Sequence, residues 1–152
     1  MDVKYINPFI EAFLSVMPQL GFEKVEKTNL SLKDCNLTYT GVIMTVGIVG
    51  EIKGNVVYYL DLESAKKVAS TMMMGMPVDD FNEMAQSAIS ELANMLTANA
   101  ATFFSNIGIT VDISTPTLLY GDQVSVKMNS NQILCIQLLA DDIPIDINIA
   151  FS

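Results

Sequence analysis

The run from Asp79 to about Phe104 constrains this chain most, because its apolar residues recur at helical spacing while its polar residues gather on the opposite side. With Ser87 set at zero and about 100° per residue, Glu91 lies at about 40°, Asn94 at about −20° and Ala98 at about 20°. Ala85, Ile89, Leu92, Leu96 and Phe103 fall between about 140° and 200°. Burying Ile89, Leu92, Leu96 and Phe103, at roughly 1.5 to 3 kcal/mol each as an upper bound, sets the rotation of such a helix. Ser87, Glu91 and Asn94 are thereby turned outward. Asp80 followed by Glu83 suits an N-cap and capping box, and Asp79 and Glu83 complement the helix dipole.

Around this helix the chain reads as α+β. Asn7-Pro8 suits a cap followed by proline in the first turn, and Phe9, Phe13, Val16 and Leu20 continue a helix over Tyr5–Leu20, with Pro18 near its end. Phe22–Leu32 alternates as a strand. Leu37–Leu60 is rich in Val, Ile, Tyr and Thr, which predicts two strands joined by a turn at Lys53-Gly54-Asn55. Asp61 caps a helix from Leu62 to Met74, stopped by Gly75 and Pro77. Beyond Gly108, strands are expected at Ile109–Ser114, Gln123–Met128, Ile133–Leu139 and Ile143–Phe151, with turns at Asn129-Ser130-Asn131 and Asp141-Asp142 and Pro144 at an edge or a strand opening. Asn55–Asp61 echoes Asn131–Asp141, which suits a duplicated αβ unit. Hairpin turns outnumber crossover helices, so the expectation is an antiparallel sheet packed against long helices in a single domain, 1–152.

With 152 residues, 51% hydrophobic, the chain is long enough for a substantial core. No run is apolar enough to span a bilayer and no secretory pattern opens the chain, so a cytoplasmic protein without membrane partners is expected. Cys35 and Cys135 are far apart and read as ordinary buried thiols in a reducing compartment. The absence of His removes Ser-His-Asp, Cys-His and His-based zinc chemistry. Arg is absent too, and a net charge of −9 argues against nucleic acid. Without a guanidinium, phosphoryl chemistry requires its electrostatic stabilisation from a second molecule.

Spacing alone makes plain solvated surface the default reading of Ser87, Glu91 and Asn94. Gly47, Gly50 and Gly54 lack the Lys-Ser or Lys-Thr of a phosphate loop and suit close packing or strand curvature. Met72, Met73, Met74 and Met76 divide between an adaptable surface and core packing, with core packing favoured. The Asp79-Asp80 and Asp141-Asp142 pairs suit turns without invoking a metal.

Ser87-x-x-x-Glu91-x-x-Asn94, followed further on by Pro116, resembles the signature of the CheC/CheX/FliY chemotaxis phosphatases. Ile6-Asn7-Pro8-Phe9-Ile10-Glu11-Ala12, the hairpin through Gly47, Gly50 and Gly54, and Ser90-Glu91-Leu92-Ala93-Asn94 are similar to its CheX branch. CheC carries two such sites, whereas the first helix here has Leu14 after Glu11 where a second Asn would stand, implying one active face per chain. The resemblance implies a phosphatase acting on the aspartyl phosphate of a CheY-like response regulator. That partner brings its own Mg²⁺; this chain binds no cofactor or metal.

In that reading Asn94 orients the attacking water. A carboxamide suits the task because it donates and accepts hydrogen bonds without adding negative charge beside a phosphoryl group. Glu91 pairs with a lysine of the regulator, Ser87 helps the surfaces close and Pro116 shapes a nearby loop. The resemblance also implies a homodimer. Two alternatives stand beside it: a non-catalytic adaptor or sink that binds the regulator, and a structural module that associates through strand edges.

Overall fold

The computed structural model describes residues 3–151, apart from the side chains of Asn129 and Asn131. After a 3-10 turn at Val3–Tyr5 come α1 (Asn7–Gln19), β1 (Val25–Gly50), β2 (Gly54–Leu60), α2 (Leu62–Met72), α3 (Glu83–Asn106), β3 (Val111–Ile113), β4 (Thr117–Ala140) and β5 (Ile143–Phe151). The strands form one antiparallel sheet in the order β2-β5-β4-β1-β3, and β2 also pairs with β1. This return is possible because β1 is long. Its Val42–Ile48 stretch pairs with β2, while Val25–Asp34 pairs with the second half of β4. The α+β fold expected from the sequence is the one that forms.

Strand boundaries depart from expectation in an instructive way. Phe22–Leu32 and the start of Leu37–Leu60 fuse into β1, and the two runs around Asn129-Ser130-Asn131 fuse into β4. The Asn129-Ser130-Asn131 segment that read as a break instead lies within one continuous strand. Pairing slips between Asp34↔Gln132 and Asn36↔Lys127, so Met128–Asn131 opposes Cys35 as an irregular bulge. Thr117–Tyr120, unassigned from sequence, pairs with Val42–Thr45. Pro144 opens β5, an inner strand, where it faces Leu139.

The turn at Asp141-Asp142 forms as expected, with positive φ at both residues (48° and 66°), as a two-residue hairpin of the right twist requires. Asp141 Oδ1 also accepts the Glu23 and Lys24 amides at 3.0 and 2.8 Å, fastening this hairpin to the chain entering β1.

Apart from the short β3 inserted after α3, helix, long strand and short strand occur twice, as α1-β1-β2 and α3-β4-β5, and β1 pairs with β4 as β2 pairs with β5. The counterpart of β2 is therefore β5, not the Asn131–Asp141 segment suggested by the sequence echo. The helices cover one face of the sheet, where Phe9 and Phe13 of α1 and Ile89, Leu92 and Phe104 of α3 meet Met44, Val56 and Tyr58. The other face has its own cluster of Leu37, Ile43, Val57, Met128, Ile133 and Ala150. Between those stretches Gly41 sits opposite Gly121, at φ 139° and 156°. A Cβ on Gly41 would lie 2.6 Å from the Leu60 carbonyl, so the close approach of β2 and the backbone angle both demand glycine.

Candidate functional site

α3 positions the polar face. It begins at Glu83, capped by Asn82, whose Oδ1 accepts the Ala85 amide at 3.0 Å. The capping box expected from Asp80 and Glu83 does not form. Phe81 is buried edge-on to Tyr120, with ring centroids 5.3 Å apart, and this anchor chooses Asn82 over the nearby aspartates as cap. Gln86 reinforces the entry by donating to the Phe81 carbonyl at 2.9 Å. α1 likewise starts without the expected cap: Ile6 holds that position, and Asn7 is already helical.

The buried arc of α3 comprises Ala85, Ile89, Leu92, Ala93, Leu96, Thr97, Ala100 and Phe104. Phe104, not Phe103, takes the core position, because α1 packs alongside and Phe9 meets Phe104 edge-on at 5.7 Å. The arc is thus wider than one stripe facing a sheet would be. Within it, the Thr97 hydroxyl lies 2.8 Å from the Tyr58 phenol oxygen and donates to the Ala93 carbonyl at 2.7 Å. Burial raises the Tyr58 pKa, against the partial opposition of the Thr97 hydrogen bond.

Opposite this arc, Ser87 and Glu91 are exposed and Ser90 and Asn94 are half-buried. Together with Glu83, Gln86, Thr115, Pro116 and Leu118 they line an open groove of about 650 Å³. All four residues singled out in the sequence, Ser87, Glu91, Asn94 and Pro116, meet there. The groove lining carries two carboxylates and no lysine.

Among the described residues no side-chain hydrogen bond or ion pair engages Glu91 or Asn94. Asn99, on the same helix, shows the contrast: its Nδ2 donates to the Met95 carbonyl at 2.8 Å. Asn94 keeps its donors and acceptor available. Nor do three or more His, Cys, Asp or Glu side chains converge as a metal-binding set among the described residues.

The wall facing α3 rests on a residue that sequence reasoning missed. Ser114 donates its amide to the Gly47 carbonyl at 2.9 Å, and its Oγ accepts the Gly47 amide at 2.7 Å and donates to the Thr115 carbonyl at 3.3 Å. A Cβ on Gly47 would come within 3.3 Å of that Oγ, so the glycine admits the clasp that steadies Thr115 and Pro116. Its partner is distant in sequence, and no local signal marks Ser114. Gln86, Ser90, Thr115 and Leu118 were also missed; the first two lie beside the signature on α3.

The same architecture occurs in a CheC-like superfamily protein from Shewanella, which superposes with a TM-score of 0.87 at 24% identity, covering 100% of this chain and 99% of that one. A chain in the crystal structure of the CheX-CheY-BeF3-Mg²⁺ complex from Borrelia burgdorferi is 28% identical, with a TM-score of 0.80 and 97% of each chain covered. The CheY-P phosphatase CheX of Thermotoga maritima is 31% identical over 128 residues, 84% of this chain and 82% of that protein. Residues 42–139 match the family model described as chemotaxis phosphatase CheX. The chain belongs to the CheX family of chemotaxis phosphatases. No helix among the described residues is long and apolar enough to cross a membrane.

Proposed function

We propose that this phosphatase hydrolyses the aspartyl phosphate of a CheY-like response regulator, with Asn94 orienting the attacking water and Glu91 pairing with a lysine of the regulator. The observation that carries the reading is Asn94 itself, a carboxamide on the wall of an open groove with no partner within the described residues. The names of two relatives support the substrate: one is a CheY-P phosphatase, and the other forms a complex with CheY, BeF3 and Mg²⁺.

Water held by the Asn94 amide attacks phosphorus in line, the bond to the regulator's aspartate breaks, and that carboxylate leaves. The attacking water's proton passes to the released phosphate or solvent. Mg²⁺ and cationic charge come with the regulator, and the amide adds no anion to an already anionic transition state. Glu91 sets the docking register through its pairing with that lysine, from an exposed position on the groove wall. Ser87 borders the contact and Pro116 shapes the facing wall.

A phosphate-release time course with excess phosphorylated regulator tests this. Wild type is expected to clear many equivalents, Asn94→Ala to lose acceleration while remaining folded, and Glu91→Ala to lose mainly affinity. Release limited to one equivalent indicates a sink, and full activity in Asn94→Ala rejects the assignment. The resemblance leads us to expect a dimer, which light scattering at assay concentration checks.

A further inference from the structure

The surface beside the groove continues past Glu91. On the other side of the same crest a second open concavity of about 610 Å³ is lined by Met73, Glu83, Met84, Ser87, Ala88 and Glu91. Glu83, Ser87 and Glu91 border both depressions. Met84 is 59% exposed, and Met74 and Met76, in the chain leaving α2, are 97% and 52% exposed. Core packing, favoured from sequence for this methionine run, holds only for Met72 and Met73, which pack partly against the core. Met74 also takes φ 60°, a left-handed conformation usually given to glycine at a helix end, while the Gly75 amide closes on the Ser70 carbonyl at 2.8 Å. An apolar side chain there is strained and gains no burial.

We infer that the Met73–Met84 shelf is a docking surface for the phosphorylated response regulator itself, receiving an apolar side chain adjacent to the lysine that Glu91 engages. The inference rests on the proposed function. Met84 lies two turns from Glu91, about 10 Å along the helix axis. A standard interface of about 800 Å² per partner is roughly 16 Å in radius, so a regulator seated on Asn94 covers the shelf. The shelf's only charged residues are carboxylates, which selects a cation flanked by apolar surface over a second copy of a chain with net charge −9. Methionine adapts to an irregular apolar partner without a preset shape.

The test measures titration-calorimetric affinity for a cognate CheY-like regulator loaded with BeF3 and Mg²⁺, alongside phosphate-release kinetics. Met84→Ser is expected to weaken affinity about fivefold to tenfold, with the loss in KM rather than kcat, and Met84→Leu to restore it. Affinity within twofold of wild type for Met84→Ser overturns the shelf. Binding without turnover by wild type overturns the catalytic role of Asn94 but leaves the shelf testable by affinity alone. No binding by wild type removes the occupant and overturns both.

Discussion

α1 and α3 pack side by side on the same face of the sheet, each opening a helix, long strand, short strand unit, yet only one carries the paired carboxylate and carboxamide. α1 has Glu11 exposed one turn before Leu14, which is 42% exposed; α3 has Glu91 before Asn94. Helical spacing presents the acid twice, so an exposed acid on such a helix is not enough to define a site. The difference lies in the residue three positions later: a leucine offers water nothing, whereas a carboxamide can both accept from it and donate to phosphoryl oxygen. Their inner faces differ as well. α1 buries only apolar residues, and α3 adds the hydroxyl contact of Thr97 with Tyr58.

The most severe way to erase the distinction is Asn94→Leu, which gives α3 the pattern of α1. Loss of a water-orienting amide is expected to lower kcat by about 100-fold or more, by analogy with removal of one transition-state hydrogen-bond donor. Far-UV circular dichroism and the melting temperature should stay at wild-type values, since the side chain is only half-buried.

On the inner face, Thr97→Val leaves the Tyr58 phenol without its partner in the core. Chemical denaturation should then report a loss of about 1 to 3 kcal/mol, with kcat retained.

The same tyrosine gives stability an alkaline limit. Burial raises its pKa in the folded state, so the unfolded chain releases this proton first once pH passes about 10. Burial also raises Tyr39, opposed by hydrogen bonds from Lys33 and Asn148, in the same direction. Stability carried by these phenols is complete below about pH 10 and is lost as pH climbs above it; Tyr58→Phe should make the decline shallower in denaturant titrations at stepped pH. The smallest effect belongs to Glu11→Ala, for which kcat/KM within twofold of wild type is expected. A larger change would give α1 a part in docking.

Much of the site was legible because a helix enforces its own geometry over short spans. Ile89, Leu92 and Leu96 determined which way Ser87, Glu91 and Asn94 point, and the structure places all of them accordingly. Asp61 and the Asp141-Asp142 turn were readable for the same reason: the partners lie within a few residues. What failed was the reading of a polar cluster as a chain break. Asn129-Ser130-Asn131 looks like a turn in isolation, but across the ladder it is taken up as a bulge opposite Cys35. The helix start was missed at Asp80 because burial of Phe81 decides which candidate cap reaches the first amides.

From its residues alone this chain determined that it would be α+β, that it would lack histidine and guanidinium chemistry, and that one helix face would turn an acid and an amide outward. These follow from local periodicity and from composition, which need no knowledge of distant neighbours. Only the tertiary structure decided that Thr115 and Pro116 would stand opposite Asn94, that Ser114 would be clasped to Gly47, and that methionines would extend the same crest. Those contacts join segments far apart in the chain, and their register is set by strand pairing and core packing, which no short window of sequence contains.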